Sequence, residues 1–413
     1  MNNQIKAEKG MTRVNTLKNR LDSISLLSIS QFFFFAFLFM KPFYILKSGS
    51  LQIGDMMIVL SFISIALYKG LDFKIEKNDF LLIGFVASVI VINGIYFCIY
   101  LDSMFLIRSS FYLFNLMAVL LFRFLYSNQQ FLEKVSKVLR LSLYLQLVIF
   151  LLKAGRWYDA NRYMGTFNDP NQLGFFVLSS LLCIRFLEFK IGKKKLVLDD
   201  LVSGVLIFET ASTGMLLGLA IYYIGLLIMY LIKGGRWRWP LLILMIASAV
   251  VVANIFNNST NLQVNSGNQL VDFTLERVVQ KIQKLNGEGN DYNSSILIDR
   301  GLDKVCLYPE KMLLGAGEGH FSRFTLAHAP DEVHSTIIGL LFYYGALPYA
   351  SLVAWVISNG KLGNTTLDEL VIVLPILVES LTLANQRQPI FWILLAAMAI
   401  GTIGNNKIED EGA

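Results

Sequence analysis

The chain holds three histidines, His320, His328 and His334, and all of them fall within fifteen positions of one another. They sit where a polar segment gives way to an apolar run, and imidazole is the side chain best suited to exchange a proton near neutral pH. In the stretch "HAPDEVHSTIIGLLFYYG", Pro330 suits the first turn of a helix, and Asp331 and Glu332 suit the positive end of its dipole. His334 is then expected about one turn into that helix, near a membrane interface. Asp331 lies three residues earlier on the same face, placed to accept one imidazole proton and orient the ring. The helix N-terminus favours the neutral imidazole, which works as a base, whereas Asp331 favours the charged one. A histidine in this place can also serve only as a polar bridge between helices. Spacings of eight and six residues do not put the three imidazoles on one helical face, and no cysteine or carboxylate pattern completes a metal site. The expectation is a single base, His334, with no metal and no cofactor.

Arginines form the second set. Arg156, Arg162, Arg300, Arg323 and Arg387 lie in segments between apolar runs, and Arg108 lies within one. A guanidinium fork binds phosphate through paired hydrogen bonds, so such a cluster could hold a diphosphate. The competing reading is ion pairing with Asp159, Asp169, Asp299 or Glu379. Arg108 has the strongest claim by cost, because a cation in a span is expensive unless its side chain snorkels.

The elements that must position these groups are membrane helices. Hydrophobic residues make up 55% of the 413 and charged residues only 16%, too little charge to cover a water-soluble domain of this size. Apolar segments fall at 23–46, 53–68, 80–100, 104–126, 138–153, 171–188, 196–209, 213–232, 240–256, 334–358, 370–386 and 389–404, which predicts an all-α polytopic protein of about twelve spans. The first follows a basic leader and has no small-residue cleavage site after it, so it reads as a retained anchor. Of the cysteines, Cys98 and Cys183 fall in spans and none has metal-like spacing, which argues against a disulfide framework. With an even count, both termini share a side. If that side is cytoplasmic, the inner segments carry twenty-one lysines and arginines and the short outer segments six, as the positive-inside rule requires.

This orientation divides the chain into residues 1–256, with nine spans and an outer loop at 153–172; a large outer loop at about 257–333; and residues 334–413, with three spans and a cytoplasmic tail. Within the large loop, "VDFTLERVVQKIQKLNG" reads as an amphipathic helix, with Leu275, Val278, Val279, Ile282 and Leu285 on one face and Arg277, Lys281 and Lys284 on another. It could lie along a leaflet or pack on the rest of the loop. "SSILIDRGLDKVCLYPE" reads as a second helix ended by Pro309, and "LLGAGEGHFSRF" as a Gly-rich turn.

Three segments together resemble the O-antigen polymerase and O-antigen ligase superfamily of bacterial envelope glycosyltransferases. "RYMGTFNDPNQLGFF" is similar to an Arg–x–x–Gly–x–Phe–x–x–Pro–Asn–x–x–Gly pattern leading into a span; "ETASTGMLLGL" is similar to a segment where a Ser-Arg pair commonly opens the next one. From Arg300 through "PEKMLLGAGEGHF" to "EVHSTIIGLLFYYGALPY" the chain resembles the family's arginine, glycine turn, then histidine on the following helix. The likeness covers roughly residues 150–350. It departs at Ser212-Thr213, where no arginine role can be carried over, and at Ser335, where asparagine is common.

The resemblance implies a metal-independent glycosyltransferase at the outer face of a bacterial plasma membrane, polymerising oligosaccharide repeat units linked to undecaprenyl pyrophosphate. His334 would deprotonate an acceptor hydroxyl with Asp331 behind it. Arg300, Arg323, Arg162, Arg156, Arg108, Arg387 and Asn171 would hold the diphosphate and glycan. Partners would be the lipid-linked donor and acceptor, the bilayer, and other polysaccharide-assembly proteins such as a chain-length regulator, with no nucleic acid. A ligase of the same superfamily would instead pass the glycan to lipid A core or protein. A polysaccharide flippase or secondary transporter shares the expected span count, but such proteins carry ionisable groups on broken helices at matching places in two halves, and Pro348 and Pro375 have no counterparts in the first half.

Overall fold

The computed structural model describes residues 26–45, 52–69, 75–126, 128–159, 161–234, 239–240, 243, 267, 269–286, 296–328, 332–360 and 366–400. It is overwhelmingly helical. In chain order the principal helices are α1 (Leu26–Met40), α2 (Ile53–Lys69), α3 (Asp79–Tyr100), α4 (Met104–Leu125), α5 (Gln129–Leu151), α6 (Pro170–Lys190), α7 (Val197–Glu209), α8 (Thr213–Ile232) and α9 (Gln269–Asn286). Short helices α10 (Ile296–Asp299), α11 (Asp303–Leu307) and α12 (Lys311–Leu314) follow, then α13 (Thr336–Tyr344), α14 (Ala346–Gly360), α15 (Leu367–Thr382) and α16 (Pro389–Ala397). Four of these, α3, α4, α6 and α8, are long and apolar enough to cross a bilayer, and the apolar helices mark the chain as a membrane protein. The expected span at 240–256 lies almost entirely outside the described residues.

Local chemistry sets the boundaries. Asn128 caps α5 by accepting from the Phe131 amide at 3.1 Å. Asp169 caps α6 by accepting from Asn171 and Gln172, with Pro170 in the first turn. Thr366 and Glu369 form a reciprocal capping box on α15. α6 is buried along nearly its whole length and packs against α5, α7, α8, α15 and α16, so it forms the central post of the bundle.

Three sequence expectations change. The loop at 153–172 contains a small antiparallel hairpin, β1 (Arg156–Tyr158) and β2 (Arg162–Gly165), with Trp157 paired to Tyr163; ring contact between them, centroids 5.2 Å apart, favours the pairing. The apolar run 334–358, expected as one span, is two helices, α13 and α14, broken at Gly345 (φ 78°). A Cβ at Gly345 would come 2.5 Å from the Leu313 carbonyl, because the Gly-rich turn presses onto the break: the Ala316 and Gly317 amides donate to Phe342 and Tyr343 at 3.0 and 2.8 Å. The single helix expected over "SSILIDRGLDKVCLYPE" is likewise split into α10 and α11 by a turn at Gly301 (φ 63°), which sets Arg300 in the turn.

One set of ionic contacts ties α5 and α6 to α7, and another ties α4 to α3 and α14. Arg140 donates to Asp199 at 2.8 Å, Tyr144 to Asp199 at 2.7 Å, and Arg185 to Glu188 at 2.8 Å. Arg123 donates to Asn359 at 2.9 Å and pairs with Asp79, which also accepts from Trp355 at 3.0 Å. Asp199 and Asp200, near the start of the short seventh segment, are thus neutralised by α5 and α6.

Candidate active site

His334 does not lie inside a helix. Ser335 is the N-cap of α13, its hydroxyl accepting from the Ile338 amide at 3.2 Å, so His334 precedes the helix in irregular chain. Asp331, expected to orient it, lies outside the described residues. The histidine segment is instead fixed through its backbone. The His334 amide donates to the Arg300 carbonyl at 2.8 Å, and the Val333 amide donates to the Tyr343 hydroxyl at 2.7 Å. Two residues on, the Thr336 amide and hydroxyl both donate to the Leu383 carbonyl, at 2.9 and 2.8 Å, and the Thr336 hydroxyl accepts from the Asn385 amide at 2.8 Å. The strap between the large loop and α13 is therefore stitched to the α15–α16 connection on one side and to Arg300 on the other.

His334 lines two cavities. The larger, about 470 Å³, is lined by Lys41, Tyr44, Arg108, Asn171, Glu332, His334, Asn385 and Arg387 among others. The smaller, about 190 Å³, is lined by Asn171, Ser212, Arg277, Lys281, Asp299, Arg300 and His334 among others. Asn171, His334 and Leu383 line both.

Charge is distributed unequally between the two. In the larger cavity the cations are matched. Lys41 bonds Asp55 at 2.6 Å. Arg108 reaches Glu332 at 3.2 Å, and Arg387 reaches Glu318 at 2.8 Å and also bonds Glu332. Glu318 is fully buried and accepts from the hydroxyls of Tyr112 and Tyr344 at 2.7 and 2.9 Å. Burial pushes its carboxyl up, but Arg387 and Arg108 outweigh burial and hold it below the usual carboxylate range.

The smaller cavity collects Arg277, Lys281 and Arg300 around one carboxylate, Asp299. Lys281 bonds Asp299, Lys284 reaches it at 2.6 Å and Arg300 at 3.6 Å. Burial pushes the Asp299 carboxyl up, yet hydrogen bonds from the two lysines prevail and bring it down to about 2. Burial lowers Lys281 and Arg300 from their ordinary values, and the nearby Arg277 lowers Arg300 further. Arg277 Nε is buried without a hydrogen-bond partner among the described residues. A crowded, incompletely neutralised group of cations is an anion site in electrostatic terms.

The remaining expected residues separate into supports and bystanders. Arg162 is buried, Nε donating to the Thr210 carbonyl at 3.0 Å and a terminal nitrogen to Asn171 Oδ1 at 2.9 Å. Ser212 donates to that same oxygen at 2.8 Å, so Asn171 is presented to both cavities by two donors. Burial and then Arg277 lower the Arg162 guanidinium to about 10. Arg156 bonds Asn168 in the turn before α6 at 2.7 Å and ties the hairpin to the α1–α2 connection through the Tyr44 carbonyl at 3.3 Å. Arg323 lines neither cavity; it donates to the Gly317 carbonyl at 2.8 Å and packs over the Tyr96, Phe105 and Phe324 rings at 4.8, 5.1 and 4.7 Å. His320 pairs with Asp102 at 3.2 Å and stacks on Tyr100, and the His328 amide donates to Asp303 at 2.8 Å. Among the described residues no three His, Cys, Asp or Glu side chains gather as a metal-ligand group.

Glu318, Glu332, Arg277 and Lys281 join the two sites without being among the residues the sequence points to. Glu318 had a readable signal: a lone carboxylate between Gly317 and Gly319, where a Cβ would come 2.6 Å from Tyr96 and 2.9 Å from Phe105 respectively. Arg277 and Lys281 had none beyond helical spacing. Compared with known protein families and with curated proteins, the chain matches none.

Proposed function

We propose that the chain is a membrane glycosyltransferase that moves a glycan from a lipid-linked diphosphate donor to a hydroxyl of a second lipid-linked saccharide, extending a surface polysaccharide. The observation that carries the proposal is the place of His334 in the wall shared by a roomy polar cavity and a smaller, cation-rich one. A transferase needs that partition: an acceptor hydroxyl on one side of a base and an anionic leaving group on the other.

In this reading the acceptor sugar occupies the larger cavity and the donor diphosphate the smaller. His334 takes the proton of the acceptor hydroxyl as that oxygen bonds the anomeric carbon. The bond from that carbon to the diphosphate oxygen breaks, and the electron pair leaves with the diphosphate. Arg277, Lys281 and Arg300 stabilise the charge released there. Asn171, held by Arg162 and Ser212, spans the junction between the substrates. The about twelve spans, cytoplasmic termini, outward-facing site and plasma-membrane location belong to the same proposal and rest on hydropathy and the lysine and arginine bias.

The experiment is lipid analysis of a strain lacking the chain. A polymerase predicts loss of long polysaccharide with single repeat units still reaching their usual acceptor. Long chains stranded on the lipid carrier would instead identify a ligase, and an unchanged polysaccharide profile would overturn the proposal.

A further inference from the structure

Helix α9 presents three different faces at helical spacing. Arg277, Lys281 and Lys284 form one stripe, which turns inward: Arg277 and Lys281 line the smaller cavity, and both lysines hold Asp299. Thr274, on that stripe, is buried. A second stripe, with Gln269, Glu276 and Gln280, is exposed. The third stripe is apolar, Val271, Leu275, Val278 and Ile282 at alternating spacings of four and three, and its Leu275 is 43% exposed.

In a helix covering a water-soluble domain the leucine would be buried, yet here Leu275 is exposed while Arg277 and Lys281 line a cavity. A helix with an apolar edge, a polar edge and a basic edge suits a boundary between lipid, water and protein. Its level in the molecule agrees. The smaller cavity takes Arg277 and Lys281 from α9 and Thr213 and Gly214 from the first turn of α8, so α9 lies beside the end of a helix long enough to cross the bilayer. α8 itself leaves Leu217 and Ile224 exposed, 44% and 49%, as a lipid-facing helix does.

We infer that the partner of the apolar stripe of α9 is the bilayer: α9 lies in the leaflet surface with Leu275 among the acyl chains and Gln280 in water. This placement does not depend on the reaction proposed above. Taken with that reaction, it sets Arg277 and Lys281 at headgroup depth, where the diphosphate of a lipid-anchored donor travels, so the donor reaches the cavity sideways from the membrane.

The test uses the full chain in lipid nanodiscs. Spin labels are placed by Leu275→Cys, Val278→Cys or Gln280→Cys after Cys98, Cys183 and Cys306 are replaced by serine or alanine, and collision with molecular oxygen is compared with collision with a water-soluble nickel chelate. The expected result is an oxygen-to-nickel ratio several-fold higher at positions 275 and 278 than at 280. A second measurement needs no substitution: a lipid with a photoactivatable group in its acyl chain should leave adducts on the peptide containing Leu275 and Ile282. A ratio at 275 matching that at 280, or labels shielded from both reagents by protein or a second copy, would overturn the inference, as would adducts confined to the spanning helices. All of these readouts are independent of glycan transfer, so failure here is distinguishable from failure of the proposed reaction.

Discussion

The His334 amide donates to the Arg300 carbonyl at 2.8 Å, joining the candidate base to a candidate diphosphate ligand through one backbone hydrogen bond. Arg300 in turn donates from its guanidinium to the Thr382 carbonyl at 2.7 Å, at the end of α15. The large loop, the histidine strap and the α15–α16 connection therefore hold one another. Displacing any of them moves base and cation together.

Gly301 is the weakest point of that arrangement. It has φ 63°, and a Cβ there would lie 2.8 Å from the Glu332 carbonyl. Gly301→Ala should cost about 1–3 kcal/mol of local strain and shift the strap that carries His334. The measurement is transfer activity beside thermal unfolding in detergent: activity should fall more than unfolding temperature. Unchanged activity would show that the strap tolerates the shift.

Glu318 and Glu332 both face Arg387 and Arg108, but their burial differs. Glu318→Gln leaves two interior guanidinium groups short of their fully buried counter-ion and should destabilise by about 3 kcal/mol or more. Glu332, whose side chain is 20% exposed at the cavity, should cost less when changed to Gln. Thermal unfolding of the two variants checks the order, and equal losses would contradict it.

Arg277→Leu removes a cation that carries no ion pair to Asp299, so the fold should be spared. Loss of a charged hydrogen bond to the diphosphate should raise the donor KM by about ten-fold or more. Titration of donor at fixed acceptor reads this directly. A KM change confined to the acceptor would reverse the assignment of the two cavities.

The Asp299 carboxyl is held at about 2 against an ordinary value of 3.8. A carboxyl lowered on folding stabilises fully above its ordinary value, and the contribution drains away as pH falls toward the lowered one. The grip of Asp299 on Lys281 and Lys284 should therefore persist down to about pH 4 and be lost between there and about pH 2. Hydrogen exchange across α9 checks this, with protection falling in that window in the native chain and already low at neutral pH in Asp299→Asn.

Much of the helical order is legible in the sequence, because runs of apolar residues report burial or lipid exposure directly. The junctions are less so. α13 and α14 read as one span because hydropathy does not see Gly345 forced against the Leu313 carbonyl, and α10 and α11 merge because Gly301 looks like any glycine in a loop. His334, Arg300, Arg108 and Arg387 stand out by residue type and Asn171 through the motif resemblance, and all line a cavity. Arg323 stands out equally and is engaged with a ring cluster instead, since tertiary packing of Tyr96 and Phe105 has no local signature. Arg277 and Lys281 were visible as a basic stripe, but the direction that stripe faces depends on Asp299, a partner fifteen or more residues away.

The most direct measurement is chain extension by His334→Ala in reconstituted vesicles supplied with lipid-linked repeat units, beside the unsubstituted chain inserted to the same level. Loss of a positioned general base predicts a fall of about 10²–10⁴-fold in rate, with donor binding retained through Arg277, Lys281 and Arg300. Polymer of normal length and rate from His334→Ala would contradict the account.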